Sequence, residues 1–198
     1  TENRWAFPVD GTSRAGIEAV LASLIEPKDV VLVPVFGRFG HLLVEIAERY
    51  GATVVTLETA WGTVFSPQTV IEKIRIVRPK IVAMVHGETS TGCMQPLEAI
   101  GAACREADVL FVVDAVATLG GTPVKVDEWK IDAAIGGTQK CLSVPPGMAP
   151  LTFNARVEAI LLQRKRIERG LTDTPQPLSE FDGVIRTNYL DLSQLMDY

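Results

Sequence analysis

The run Val109-Leu110-Phe111-Val112-Val113 places an apolar side chain at every position and then stops at Asp114. Successive residues of a strand face opposite sides of a sheet, so an unbroken apolar run suits a strand covered on both faces. Val30–Val35 and Ile81–Val85 have the same character, and Thr53–Leu57, Ala133–Ile135 and Ala149–Phe153 are shorter or more mixed candidates. Between them lie segments of helical period: Arg14–Leu24, Gly40–Tyr50, Pro67–Val77, Leu97–Glu106 and Ala155–Arg169. This alternation predicts an α/β layered domain with a mostly parallel sheet. Such sheets bind ligands outside the carboxyl ends of their strands, and Asp114 sits at an end of that kind.

The 198 residues suffice for one sizeable core, and 47% hydrophobic residues is ordinary for a globular chain. A net charge of −5 offers no general attraction to nucleic acid or anionic membrane. No apolar stretch approaches the roughly 20 residues of a membrane helix. Cys93, Cys104 and Cys141 are odd in number and lack metal-ligand spacing, so they read as reduced thiols of a cytoplasmic protein. The chain opens on Thr1 and ends at Tyr198 without a polar tail, which reads as an interior piece of a longer protein. Residues 1–170 are expected to form the main domain. Gly170–Ser179, with Pro175 and Pro177, reads as a linker or surface loop, and Tyr189–Met196 as the start of a further helix.

Lys140, in Gly136-Gly137-Thr138-Gln139-Lys140-Cys141, lies 26 residues beyond Asp114, room for a loop, a short helix and another strand. Pyridoxal phosphate (PLP) needs such a pair, an amine to form a Schiff base and a carboxylate to keep the pyridine nitrogen protonated. Most lysines are simply solvated and many strands end in Asp, so the flanking loops have to decide. Thr12-Ser13-Arg14 opens an apolar helix, where free N–H groups and hydroxyls suit a phosphate; an ordinary N-cap is the alternative. Phe39, between Gly37 and Gly40 after a strand, suits stacking on a flat ring, or it packs into the core. His86-Gly87-Glu88-Thr89-Ser90-Thr91-Gly92 brings Thr89 to the same edge, against the alternative of a solvated polar loop. Thr138 and Gln139 either steer a cofactor or belong to the turn. With only His41 and His86, a His-rich metal site is excluded. No Walker lysine, GxGxxG after a strand or GxSxG elbow is present, which disfavours nucleotide binding and serine hydrolysis.

In order along the chain, Thr12-Ser13-Arg14, Phe39, Thr89, Asp114 and Gln139-Lys140 resemble the class V aminotransferases of fold type I, the alanine/serine–glyoxylate group. The resemblance covers essentially the whole chain, including Ile46–Ala52, Thr89–Gly92 and Leu119–Pro123. Within the group, Gly11–Leu21 and Phe36–Leu43 look most like the bacterial (S)-ureidoglycine–glyoxylate aminotransferases of purine breakdown. The resemblance implies a three-layer α/β/α large PLP-binding domain and transfer of an amino group from a small amino donor to glyoxylate or another oxo acid. It makes Lys140 the cofactor lysine and Asp114 the partner of the pyridine nitrogen. Phe39 takes the ring-stacking place, Thr89 a contact to the ring oxygen, and Gln139 a phosphate contact. Thr12, Ser13 and Arg14 occupy the phosphate loop, where alanine–glyoxylate members carry Ser-Gly-His, so Arg14 is left between phosphate and substrate. The resemblance further implies a homodimer whose site lies near the subunit interface, and a small C-terminal domain with a substrate-carboxylate arginine; neither that arginine nor the partner's contacts can be located in these residues. A cysteine desulfurase with Cys93 as nucleophile, and a non-catalytic remnant, are the rival readings.

Overall fold

The computed structural model describes residues 1–167, 171 and 183–197. Along the chain run β1 (Trp5–Gly11), α1 (Ser13–Leu24), β2 (Val30–Val35), α2 (Arg38–Arg49), β3 (Thr53–Glu58), α3 (Pro67–Val77) and β4 (Ile81–Val85). There follow β5 (Gly87–Glu88), β6 (Cys93–Met94), α4 (Glu98–Glu106), β7 (Leu110–Asp114), β8 (Ala133–Ile135), β9 (Gly147–Phe153), α5 (Ala155–Arg164) and α6 (Leu192–Leu195). The main sheet is seven-stranded, in the order β1-β9-β8-β7-β4-β2-β3. Only β9 runs against its neighbours; the others point the same way. β5 and β6 form a separate small hairpin.

Strands β2, β4 and β7 lie at the centre and are buried along nearly their whole length, which is why their sequences carry apolar residues without alternation. The direction of each crossover sorts the helices. From β1 to β2 and from β2 to β3 the chain moves one way across the sheet, and from β3 to β4 and from β4 to β7 it moves back. Because parallel crossovers are right-handed, α1 and α2 must cover one face and α3 and α4 the other. The packing agrees: α1 meets α2, α5 and α6, while α3 meets α4. The three-layer α/β/α arrangement follows. Gly16 lets α1 approach the sheet closely, since a Cβ there would stand 2.6 Å from the Cβ of Ala149.

Three local features differ from the sequence-based expectation. Trp5–Gly11 is a strand, with Pro8 on a sheet edge where its missing N–H is tolerated, and it pairs antiparallel with β9. α5 stops at Arg164 rather than Arg169, because Lys165 turns to extended backbone. The buried Arg164 guanidinium donates to the carbonyls of Ser23, Gly183 and Val184, and the Arg166 carbonyl accepts from Gln194, so tertiary contacts end the helix where local sequence would not. His86–Gly92 is solvated only in part: His86 and Glu88 are buried and the segment opens the β5–β6 hairpin, while Thr89, Ser90 and Gly92 are exposed. The expected loop at 170–179 lies outside the described residues apart from Leu171. The further helix is a single turn, Leu192–Leu195, capped by Asp191. No helix among the described residues is long and apolar enough to cross a membrane.

Candidate active site

Every strand that points the common way delivers its following loop to one edge of the sheet, and five of these loops converge. Thr12, Ser13 and Arg14 after β1, Phe39 after β2, Thr89 after β4, Asp114 at the end of β7, and Gln139 and Lys140 after β8 all line one cleft of about 300 Å³. All the site residues expected from sequence are therefore brought together.

Thr12 occupies the N-cap position of α1, yet its hydroxyl makes no capping bond, and no acidic residue lies in the first turn. The helix start thus keeps free N–H donors, and its dipole favours an anion. Arg14 is exposed at the cleft and forms no ion pair among the described residues. Ser13 is buried, and its hydroxyl donates to Gln139 Oε1 at 3.0 Å. With its oxygen so engaged, the Gln139 amide keeps Nε2 without an acceptor among the described residues, available as a donor. A Cβ on Gly137 would stand 2.2 Å from Ser13 Oγ and 2.9 Å from Val116 Cγ1, so only glycine admits this close approach beneath the cleft.

Asp114 is 4% exposed. Its Oδ1 accepts a hydrogen bond from Val116 N at 2.9 Å, and its Oδ2 has no protein partner among the described residues. Burial pushes the carboxyl up to about 6, opposed by the Val116 N–H, reinforced by the Glu88 charge and opposed again by Lys140. A half-satisfied buried carboxylate next to a cleft is suited to a cationic N–H donor. Next to it His86, also buried, shares a 2.9 Å hydrogen bond between Nδ1 and Thr118 Oγ1 and meets Trp129 edge-on. Burial holds this imidazole below its usual range.

Lys140 follows β8 on a tightly tied turn. Thr138 Oγ1 lies 2.9 Å from the Pro145 carbonyl and 3.2 Å from that of Met148, and Ser143 N donates to the Lys140 carbonyl. Thr138 is thus a residue of the turn. The Lys140 side chain itself has no hydrogen bond or ion pair among the described residues, which leaves its amine available. Phe39 and Val116 give the cleft apolar walls.

Glu88, Val116 and Gly137 belong to the site's construction and were not singled out from sequence. Gly137 had a signal in the Gly136-Gly137 pair before the lysine; Glu88 had none, because the helix N–H groups that its Oε2 serves lie 48 and 49 residues away. Cys93 is half-buried on β6, weakly bonded to the Thr91 carbonyl, and does not line the cleft. No group of three or more metal-ligating side chains occurs among the described residues.

A family profile described as "Aminotransferase class-V" matches residues 7–163. The (S)-ureidoglycine–glyoxylate transaminase of Bacillus subtilis is 66% identical over all of this chain and 48% of its own length. An alanine–glyoxylate aminotransferase of Drosophila melanogaster is 39% identical over 83% of this chain and 42% of its own. Among solved structures, the Bacillus subtilis ureidoglycine–glyoxylate aminotransferase superposes with a TM-score of 0.90 at 65% identity, over all of this chain and 47% of that one. An alanine–glyoxylate aminotransferase from Nostoc sp. gives 0.87 at 41% identity, over all of this chain and 48% of that one. The chain thus spans about half the length of the curated relatives it matches. The match to residues 7–163 and the 66% identity over the whole chain have one outcome: the chain belongs to the class-V aminotransferase family.

Proposed function

We propose that the full-length protein transfers an amino group from ureidoglycine to glyoxylate, using PLP held in this cleft. The observation that carries amino-transfer chemistry is that the Oδ2 of buried Asp114 shares one cleft with the amine of Lys140, neither having a partner among the described residues. The choice of donor rests on the 66% identity to the Bacillus subtilis transaminase.

When bound, PLP supplies a carbonyl that condenses with amines and a ring that accepts electrons from the attached carbon. The residues present fit it. Asp114 Oδ2 accepts from the protonated pyridine nitrogen and favours the cation by charge pairing. Gln139 Nε2, the Thr12 hydroxyl and the free N–H groups of α1 hold the phosphate, with Arg14 adding positive charge. Phe39 covers the ring, and Thr89 donates to its hydroxyl oxygen. Lys140 Nζ would hold the cofactor, and its amine is placed to take up and return a proton at the donor's α-carbon. The substrate-carboxylate arginine belongs to a small domain outside this chain, and the working form is a homodimer with the site near its interface. The exposed Leu142, Val144 and Met148, beside the lysine turn, support such an interface.

The test is glycine formation from glyoxylate by full-length protein offered ureidoglycine, alanine and serine. Ureidoglycine is expected to be the fastest donor. Preference for alanine or serine would favour the second reading, suggested by the next relatives. No transfer from any donor, or sulfide release from cysteine, would overturn the proposal.

A further inference from the structure

Helix α2 begins without a cap of its own. Gly37 holds the N-cap position in extended backbone and has no side chain to offer. The missing acceptors come from Glu88, at an N-cap-like position in space but 49 residues from Phe39 in sequence. Glu88 Oε2 accepts from Phe39 N at 2.8 Å and, more loosely, from Gly40 N at 3.4 Å. Its Oε1 accepts from Ser90 N at 3.1 Å and Ser90 Oγ at 2.7 Å, and Ser90 Oγ in turn accepts from Arg38 N at 3.0 Å. The carboxylate is 1% exposed and has no cation in ion-pair contact among the described residues. A buried charge served only by neutral donors is costly, and what offsets the cost here is the positive end of a twelve-residue helix.

The same residue is fixed to a second wall of the cleft. The Glu88 carbonyl accepts from Thr91 N and Gly92 N, closing the turn that carries Thr89, and its backbone pairs with Cys93 in the β5–β6 hairpin. Gly37 is shaped around it: a Cβ there would stand 2.3 Å from Glu88 Cγ and 2.5 Å from Cδ.

We propose that Glu88 is a positioning residue that holds Phe39 against the cofactor ring by capping α2, and ties that wall to the Thr89 turn. This rests on the reading of the cleft as a PLP site. A carboxylate accepts at both oxygens, whereas an amide would turn an NH2 toward N–H donors, so Glu88→Gln breaks one side of the cap without emptying the space.

The test is a double-mutant cycle on full-length protein, with Glu88→Gln and Phe39→Ala singly and together. PLP affinity is read by titration of its visible absorbance, and the thermal midpoint of the cofactor-free protein is read alongside. Each single variant is expected to weaken PLP by about tenfold, the scale of a charge-assisted hydrogen bond or a lost ring contact. In the Phe39→Ala background, Glu88→Gln is expected to weaken PLP less than about twofold, because its effect runs through Phe39. Gly37→Ala, which displaces the carboxylate but keeps its charge, should reproduce the pattern. Ser90→Ala, at an exposed residue, should give a milder version even where the other two fold poorly. Full additivity, or unchanged affinity in the single variants, overturns the proposal. A wild-type protein that binds no PLP overturns the cofactor reading and this proposal with it.

Discussion

Ser13 Oγ donates a hydrogen bond to Gln139 Oε1 across 3.0 Å, joining the first turn of α1 to the residue before Lys140. The serine is buried and the amide exposed, so the bond sets which end of the amide faces the cleft. In Ser13→Ala the amide is free to rotate. PLP affinity should fall by about fivefold, the scale of one neutral hydrogen bond, with little change in thermal midpoint. Titration of cofactor absorbance together with a melting curve checks this.

Asp114 predicts a conflict between stability and cofactor binding. Burial raises its pKa from the ordinary 3.8 to about 6, so the folded cofactor-free protein binds this proton more tightly than the unfolded chain. Stability should therefore fall as pH rises through that window, with the full penalty present above about 6. Asp114→Asn removes the penalty. The cofactor-free variant should be more stable than wild type at pH 8 by on the order of 3 kcal/mol, and no more stable near pH 4. Its PLP affinity should nevertheless drop. Urea unfolding at both pH values measures the first effect and absorbance titration the second.

At the opposite edge of the sheet, Asp132 is buried and accepts from Phe111 N at 2.8 Å, Asn154 Nδ2 at 2.7 Å, Arg105 at 3.0 Å and Arg156 at 3.0 Å. Asp132→Ala leaves these donors and two cations without their acceptor. It should cost about 3–5 kcal/mol in urea unfolding. Because the network lies away from the cleft, the spectrum of bound PLP under native conditions should be unchanged.

How much was readable beforehand depended on where each residue's partners lie. Ile81–Val85 and Leu110–Asp114 announce themselves as central strands because both faces are covered by the same domain. Asp114 and Lys140 were legible because strand ends and glycine turns are local signals. Trp5–Gly11 was not, since Pro8 argues against a strand until the edge position is known. Glu88 was hidden for a different reason. Its Oε2 serves backbone N–H groups 48 and 49 residues away, and backbone leaves no mark on sequence. Likewise Arg164, rather than any breaker residue, ends α5.

The central claim is that Lys140 carries the cofactor, and borohydride reduction tests it most directly. Full-length protein incubated with PLP, reduced and digested should yield the label on the peptide containing Lys140, and Lys140→Ala should yield none. Label on another lysine, or trapping that survives Lys140→Ala, would contradict the account.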